Sequence, residues 1–257
     1  MNAERRSVLV TGGAERIGRE ICLGLAGQGW HVLIHYNRSE EPAKALSQAI
    51  IEAGGMADTL QADFSKLEQV DGLAEDAAAC ANVRGARFAA LVNNASRFQY
   101  DTLDSMSAEG FDAHIAVNLR APLFLSRRTA LLMKEAGGCI INILDNKIHA
   151  PNPDYFTYTV GKLALSAMTG SLALAVAPHV RVCGIAPGIT LPSGAQSKAE
   201  FEKAHKANPL HQGCTPAQLV DAVRFILDTP ALTGQTIVID GGQSLVNPGR
   251  DVAFIPL

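Results

Sequence analysis

A tyrosine and a lysine four residues apart are the pair in this 257-residue chain whose spacing best suits proton chemistry. Tyr158 and Lys162 lie in an apolar segment, 156–177, whose periodicity predicts a helix, so their side chains share one helical face. An ammonium beside a phenol favours the phenolate and lowers a pKa that starts at about 10. The pair predicts that Tyr158 donates a proton near neutral pH, as a general acid. An ordinary surface pair is the alternative interpretation.

A glycine-rich turn is the second chemical signal. A short apolar run, 7–11, leads into the sequence TGGAERIG and then into a helical pattern. Glycine lets the backbone approach a pyrophosphate, and the new helix offers free N–H groups to the anion. The turn predicts dinucleotide contacts from Gly12, Arg16, Ile17 and Gly18. Arg16 suits a phosphate by a charge-assisted hydrogen bond, although it is alternatively an exposed arginine on a first helical turn.

The end of the second predicted strand indicates which dinucleotide binds. An NAD-binding protein places a carboxylate about 20 residues after the glycines, where it accepts a hydrogen bond from the ribose 2′-hydroxyl. Here that place holds Asn37, Arg38 and Ser39, which suit a 2′-phosphate. The sequence therefore predicts NADPH as the cofactor. Glu40 and Glu41 follow, and we expect them to begin the next helix, where acids suit the amino-terminal dipole.

These residues are carried by an alternation of short apolar runs and longer helical patterns. The predicted strands are 7–11, 31–36, 58–62, 89–93, 139–144, 180–185 and 235–240. Helical periodicity covers 43–53, 67–81, 111–135, 156–177 and 217–227. Uninterrupted apolar strands indicate a sheet covered on both faces. The pattern predicts one doubly wound α/β domain over residues 1–257, a Rossmann-type fold of about seven parallel strands with helices on both faces.

Segment 190–215 interrupts this rhythm. It is polar, contains Pro192 and Pro209, and has a short helical patch at 199–207. Because it follows a strand, it should lie over the carboxyl edge of the sheet, where α/β proteins bind ligands. We expect a lid over a substrate pocket, with a surface insertion as the alternative.

Composition excludes several classes of function. The formal net charge of −3 lacks the basic excess of a nucleic-acid binder. No apolar run is seen that approaches the roughly 18 residues needed to cross a bilayer, and no signal peptide is evident at the start. Five scattered cysteines contain no C-x-x-C, and the seven histidines show no metal-ligand spacing. A cytoplasmic protein without a metal, a nucleic-acid partner or a membrane partner is expected, and His31 and His35 are expected in its core.

The motifs together resemble the short-chain dehydrogenase/reductase family, in family order from Thr11 to Gly242. The glycine turn is similar to the family's T-G-x-x-x-G-x-G, with Arg16 at the middle glycine. The resemblance implies that Asp63 contacts the adenine, with an N-cap role as the alternative, and that Lys162 binds the nicotinamide ribose. It also implies that Asn118 bends its helix and anchors a water, and that the chain forms a homotetramer. Further cofactor contacts are implied at Asn93, Ala95, Ser96, Pro187, Gly188, Ile189 and Thr190.

Asp145 departs from the common family pattern, which has a serine that donates to a substrate carbonyl. An aspartate that caps a turn at the end of a strand, or a degenerate site, is the alternative interpretation. An ionised aspartate accepts hydrogen bonds but cannot donate one, so it would repel a carbonyl oxygen and suit a substrate rich in N–H groups. The 13-residue spacing to Tyr158 resembles the pteridine reductases, as does Arg16. Phe98 and Tyr155 then become candidate substrate contacts, with Phe98 stacking on a pterin, although either is alternatively ordinary loop packing.

The sequence therefore predicts an NADPH-dependent reductase that transfers hydride to a C=N bond of a dihydropteridine, such as dihydromonapterin, dihydrobiopterin or dihydrofolate. Tyr158, with Lys162 and Asp145, would deliver the proton. The first alternative is a carbonyl reductase of the same family, acting on an oxoacyl thioester, a keto sugar or a ketone. The second is a non-catalytic dinucleotide-binding sensor.

Overall fold

Strands and helices alternate along the chain in the computed structural model, which describes residues 4–193, 196–246 and 249–254. The strands are β1 (Arg6–Val10), β2 (His31–Tyr36), β3 (Met56–Gln61), β4 (Arg87–Asn93), β5 (Gly138–Ile143), β6 (Val180–Pro187) and β7 (Thr236–Ile239). The α-helices are α1 (Arg16–Ala26), α2 (Glu40–Glu52), α3 (Leu67–Val83), α4 (Ala108–Ile115), α5 (Ala121–Leu132), α6 (Phe156–Val176), α7 (Lys198–Lys206) and α8 (Pro216–Asp228). Single helical turns lie at Asn146–Ile148, Gln243–Leu245 and Val252–Phe254.

The seven strands form one sheet in the order β3-β2-β1-β4-β5-β6-β7, and all six strand pairs are parallel. Alternate residues of β1 pack into two cores: Val8 and Val10 join one, and Leu9 joins the other. Helices α1, α2 and α8 cover the first face, while α3, α5 and α6 cover the second. This confirms the predicted doubly wound sheet with helices on both faces.

The predicted helix 111–135 is interrupted in the structure. Helix α4 ends at Ile115, a π-helical segment occupies Ala116–Arg120, and α5 begins at Ala121. The π-helical turn keeps the backbone helical between α4 and α5, so the sequence reads as one long helix. Apolar periodicity alone therefore did not reveal the break, whereas the family resemblance placed a bend at Asn118, which lies at its centre.

Helix α6 corrects the expectation about apolar length. An 18-residue window of this 21-residue helix has a mean hydropathy of 1.4, so by length and composition it is apolar enough to cross a membrane. Polar residues interrupt its apolar sequence, so a search for uninterrupted apolar runs does not find it. Its buried residues include Tyr158, Lys162 and Leu165, and it packs against β6, so here it is a helix of the folded domain.

Candidate active site

A cleft of about 1070 Å³ opens at the carboxyl ends of β1, β4, β5 and β6. The strand order reverses between β1 and β4, the place where open α/β sheets bind ligands. The predicted site residues that line the cleft are Gly12, Arg16, Ile17, Gly18, Ala95, Ser96, Phe98, Asp145, Tyr155, Tyr158, Lys162, Pro187, Gly188, Ile189 and Thr190. Those that lie outside its lining are Asn37, Arg38, Ser39, Asp63, Asn93 and Asn118.

The glycine-rich turn is fixed by close backbone packing. Gly12 has φ +59°, a left-handed conformation that glycine adopts without strain. A Cβ on Gly18 would collide with the carbonyl oxygen of Gly12 and come within 2.6 Å of the Asn94 amide nitrogen. The backbone N–H of Gly12 donates to Nδ1 of His35 at 3.1 Å. Burial lowers the pKa of His35 to about 4, so the ring is neutral near pH 7 and can accept this bond.

Asn94, which sequence reasoning did not single out, holds the turn against β4. Its side-chain amide donates to the carbonyl oxygens of Thr11 and Gly12, at 2.9 and 3.0 Å. The backbone N–H groups of Asn94 and Ala95 both donate to the Thr11 hydroxyl. This contact joins the first and fourth strands at the cleft and explains why the turn and the Asn-Asn-Ala segment occur together.

Asn93, predicted as a cofactor contact, has its side chain elsewhere. It is buried and donates to the Ser126 hydroxyl and to the side-chain Oδ1 of Asn142, at 3.0 and 2.8 Å. Asn142 in turn donates to Thr169. The side chain of Asn93 therefore ties β4 and β5 to helices α5 and α6, and Asn94 faces the cleft because successive residues of a strand point to opposite sides.

The end of β2 and the glycine turn meet at the edge of the cleft. The Ser39 hydroxyl donates to Oε2 of Glu15 at 2.6 Å, and the Asn37 carbonyl accepts from the Gln61 amide. Arg38 is exposed and, among the described residues, its guanidinium has no carboxylate partner. Glu40 begins α2, as predicted, and forms an ion pair with Lys44.

Asp63 follows β3 in a tight turn. One of its carboxylate oxygens accepts the backbone N–H of Ser65 at 3.0 Å, and this bond lowers the pKa of Asp63. The N-cap residue of α3 is Lys66, so the alternative interpretation of Asp63 as a helix cap is wrong. Its predicted contact with the adenine stays a prediction.

Tyr158, Asp145 and Lys162 meet at the base of the cleft. The Tyr158 hydroxyl donates to Oδ2 of Asp145 at 2.7 Å, and the other carboxylate oxygen accepts the backbone N–H of Lys147 at 2.8 Å. The Lys162 ammonium donates to the carbonyl oxygen of Ile143 at 2.7 Å and lies 5.7 Å from the centre of the Tyr158 ring. Helix α6 and the end of β5 thus bring an acid, a base and a carboxyl group together.

The electrostatics of this group correct one prediction. Burial, followed by the negative charge of Asp145, raises the pKa of Tyr158 well above its ordinary value, so the expected lowering by Lys162 is wrong for the isolated protein. Burial also raises the pKa of Asp145 and lowers that of Lys162 to about 8. Burial disfavours each charged form, since Tyr158 and Lys162 are buried and Asp145 is partly buried.

Asn118 occupies the π-helical segment Ala116–Arg120, which agrees with the predicted bend in the helix. Its side-chain oxygen accepts from the backbone N–H of Arg97 at 2.8 Å and from the Ser96 hydroxyl, while its amide donates to the Arg97 carbonyl. Asn118 is buried, and the Cα of Gly161 in α6 packs close to it. It therefore fixes the segment that leads to Phe98.

Aromatic side chains form one wall of the cleft. Phe98 and Tyr155 stack with ring centres 4.1 Å apart and an angle of 13° between their planes. Phe98 also meets the Tyr158 ring edge-on at 4.7 Å. Tyr155 has φ +53°, a strained conformation for a side-chain-bearing residue, which sets its ring at the start of α6. Phe98 remains 42% exposed, so a flat ring is available to a ligand.

The outer wall was not found from the sequence. The Lys147 ammonium is nearly buried and forms an ion pair with Asp251 at 2.7 Å. Arg250 donates two hydrogen bonds to the buried carboxylate of Asp154, at 2.7 and 2.8 Å. These pairs join the loop after β5 to the C-terminal segment, and Arg250, Asp251 and Phe254 line the cleft. The partners in each ion pair are far apart in sequence, so local spacing did not predict these contacts.

The predicted lid, 190–215, includes residues 194–195, which lie outside the described residues. Its helical patch is α7, capped by a reciprocal pair of hydrogen bonds between Ser197 and Glu200. Gln196, Glu200 and Lys203 line the cleft, so the segment borders the site as expected. The Thr190 hydroxyl donates to the Gly188 carbonyl at 2.9 Å, within the turn that follows β6.

A cluster of possible metal ligands lies at the opposite end of the sheet. Ligand atoms of His31, Asp58 and Cys80 lie within 4.8 Å of one another. Arg84 donates to both carboxylate oxygens of Asp58, at 2.8 and 2.6 Å, and this lowers the Asp58 pKa to about 2. The His31 ring also contacts the Ser7 hydroxyl. A guanidinium on both carboxylate oxygens makes this cluster a partly exposed ion pair beside a buried, hydrogen-bonded histidine, in agreement with the expected core position of His31.

These features define a class of protein. The family model described as short chain dehydrogenase matches residues 6–203, a span that contains strands β1 to β6, the glycine turn and the Tyr158–Lys162 pair. The chain belongs to the short chain dehydrogenase family and is an oxidoreductase of that family.

Particular relatives narrow the comparison. The crystal structure of FolM alternative dihydrofolate reductase 1 from Brucella canis, complexed with NADP, has a TM-score of 0.88 and 39% identity, covering 93% of this chain and 94% of that chain. The dihydromonapterin reductase of Enterobacter sp. (strain 638) is 29% identical over 248 residues, covering 95% of this chain and 99% of the relative. The 3-oxoacyl-(acyl-carrier-protein) reductase of Synechocystis is 30% identical over 240 residues, covering 91% and 95%. The predicted resemblance to pteridine reductase-like members is confirmed.

Proposed function

We propose that this protein is an NADPH-dependent reductase that transfers hydride to a C=N bond of a dihydropteridine. The observation that carries the proposal is the hydrogen bond from Tyr158 to Asp145, beside Lys162 and below the stacked rings of Phe98 and Tyr155. A carboxyl group in place of a neutral hydroxyl donor suits a substrate with N–H groups and a ring nitrogen. The similarity to a dihydromonapterin reductase and a FolM protein supports the same substrate class.

The residues of the cleft fit NADPH. Gly12 and Gly18 leave no room for side chains where the turn approaches the pyrophosphate position. Arg16 and Arg38 have no carboxylate partner among the residues that the structure describes, so their charges are available to phosphates. Asn37 and Ser39 would complete the 2′-phosphate site, and Lys162 would bind the nicotinamide ribose. When bound, NADPH supplies the hydride.

Tyr158 and Asp145 would hold the proton that follows the hydride. The pKa of each is raised by burial, so the pair retains protons to higher pH than the same groups in water. A protonated Asp145 is a donor, and with Tyr158 it can pass a proton to a ring nitrogen in the cleft. Lys162, held by the Ile143 carbonyl, keeps a positive charge near this pair and limits the charge that develops when the proton leaves.

The aromatic wall would orient the substrate. A flat heteroaromatic ring on the exposed face of Phe98 gains both buried area and offset stacking, which adds about 0.5–1.5 kcal/mol per pair. The proposal expects Phe98→Leu to raise the KM for a dihydropterin about fivefold while kcat changes less. Phe225→Leu, on an exposed side chain of α8, is the matched control and should leave both constants unchanged.

A carbonyl reductase is the second candidate. The similarity to a 3-oxoacyl-(acyl-carrier-protein) reductase favours it, and so does the raised pKa of Asp145, because a protonated carboxyl group can donate to a carbonyl oxygen. The two candidates differ in what the carboxyl group contributes. A serine at 145 preserves a neutral donor for a carbonyl but removes the carboxyl group proposed for the pteridine.

The test is NADPH consumption against dihydropterins, dihydrofolate and simple carbonyls, with the wild-type protein, Asp145→Ser and Asp221→Asn. Asp221 is an exposed aspartate of α8 and serves as the charge-matched control. A preference for dihydropterins that falls at least about 100-fold in Asp145→Ser, with ketone turnover retained or raised, supports the proposal. Turnover of carbonyls alone overturns it. Tight NADPH binding without turnover of any substrate would indicate the dinucleotide-binding sensor.

A further inference from the structure

The glycine turn delivers a carboxylate to the place where the second strand ends. Glu15 is exposed at the cleft, and its Oε2 accepts a hydrogen bond of 2.6 Å from the Ser39 hydroxyl. Glu15 is the N-cap residue of α1 but makes no side-chain capping bond, so its carboxylate is directed across to β2 rather than to its own helix. This contact joins residues 24 positions apart.

The residues that follow β2 lie where the type of dinucleotide is recognised. In a doubly wound sheet, the residues just after β2 meet the 2′ position of the adenosine ribose. Arg38 and Ser39 stand there, and they suit a 2′-phosphate. A carboxylate at the same place accepts a hydrogen bond from a 2′-hydroxyl and repels a 2′-phosphate. Glu40 and Glu41 are engaged with Lys44 on α2, whereas Glu15 is bonded to Ser39 itself.

We propose that Glu15 is a specificity-determining residue for the adenosine ribose, and that it narrows the preference for NADPH so that NADH also binds. This inference rests on the proposed dinucleotide-dependent function. With NADPH, the charge of Arg38 attracts the 2′-phosphate and the charge of Glu15 opposes it. With NADH, the Glu15 carboxylate accepts a hydrogen bond from the 2′-hydroxyl, as a strand-end acid does in NAD-binding proteins. Two opposing groups therefore share one subsite.

The charge of Glu15 sets how much each dinucleotide affinity should change when the residue is replaced. Glu15 is exposed, so solvent and salt screen its interaction with a phosphate, and removing one such charge is expected to change affinity by about fivefold. Losing a charge-assisted hydrogen bond from a 2′-hydroxyl is expected to weaken NADH binding by about twofold or more, since glutamine keeps an acceptor oxygen. The ratio of the two dissociation constants is then the quantity that Glu15 controls.

The test is direct binding rather than turnover. Nicotinamide fluorescence titrations give Kd for NADPH and for NADH with the wild-type chain, Glu15→Gln and Glu20→Gln, all at one ionic strength. Glu20 is one turn further along α1, is paired with Arg19 at 2.7 Å and does not line the cleft, so it controls for the change in charge. In Glu15→Gln, Kd for NADPH should fall and Kd for NADH should rise, so that their ratio changes about tenfold. Glu20→Gln should keep the wild-type ratio.

The outcomes separate the two proposals. A Kd ratio in Glu15→Gln within about twofold of the wild-type ratio overturns the role of Glu15 while leaving NADPH binding intact. A wild-type protein that binds neither dinucleotide at millimolar concentration overturns the proposed function itself. Circular dichroism of each variant verifies that the exposed substitutions leave the fold unchanged.

Discussion

Replacing Lys162 by methionine should stabilise the protein at neutral pH while impairing the site. Lys162 is 3% exposed, and burial of its ammonium lowers its pKa from 10.5 to about 8. This lowering of the pKa corresponds to about 3 kcal/mol of unfavourable burial of the charged form. Below pH 8 the folded protein carries this destabilisation in full, because the lysine is charged in both the folded and the unfolded states.

The direction in which the free energy of unfolding changes with pH follows from the number of protons that the folded and unfolded states bind. Between pH 8 and 10.5 the unfolded chain keeps the Lys162 proton and the folded protein has released it, so the free energy of unfolding rises with pH. Integration gives a gain of about 2 kcal/mol between pH 7 and pH 9.5, from this residue alone. Methionine has no proton to release, so the gain is absent in the variant.

The magnitude at pH 7 contains a second contribution. Lys162→Met leaves the carbonyl oxygen of Ile143 without its donor, and a buried unsatisfied group costs about 1–3 kcal/mol. The variant no longer buries an ammonium, but it does bury the unpaired Ile143 carbonyl. The first effect is the larger, so we expect Lys162→Met to be more stable than the wild type by about 1–2 kcal/mol at pH 7. By pH 9.5 this advantage should have disappeared.

The assay is urea unfolding of both proteins, without dinucleotide, at pH 7 and pH 9.5. All other titrating groups are shared, so the difference between variant and wild type isolates Lys162. If that difference stays constant across the two pH values to within about 0.5 kcal/mol, the pKa of Lys162 is not lowered by burial and the reasoning is refuted. Catalytic turnover should fall in the variant whichever way its stability changes.

Two further perturbations test the walls of the cleft. Gly18→Ala places a Cβ against the carbonyl of Gly12, so NADPH should bind at least about tenfold more weakly in a fluorescence titration. The control variant Gly72→Ala, which has nothing within 4 Å of the new carbon, should bind NADPH as the wild type does. Equal affinities in all three proteins would contradict the packing argument. Lys147→Met removes a nearly buried ion pair with the C-terminal segment, so urea unfolding should show a free energy of unfolding lower by about 2–3 kcal/mol. The control variant Lys198→Met loses an exposed ion pair and should change the free energy of unfolding by less than about 0.5 kcal/mol. A loss for Lys147→Met no larger than for Lys198→Met would show that the C-terminal segment is not held by this contact.

The assembly and the cellular location remain predictions. The family resemblance implies a homotetramer, and gel filtration with light scattering would test it.

The sequence by itself determined the sheet, its parallel strands and the helices on both faces. These follow from local properties: uninterrupted apolar runs form buried strands, and three- and four-residue apolar steps form helices. It also determined the pairing of Tyr158 with Lys162, since four residues make one helical turn, and the position of Asp145 at the end of a strand. Each of these signals lies within a few neighbouring residues.

Only the tertiary structure decided which groups meet across elements and how water is excluded from them. Asn93 and Asn94 are adjacent in sequence, yet one is bonded in the core and the other holds the glycine turn. The pKa of Tyr158 is raised rather than lowered because burial and Asp145 outweigh Lys162. Desolvation depends on every atom around a group, and contacts such as that of Lys147 with Asp251 join residues about 100 positions apart, so neither can be read from local spacing.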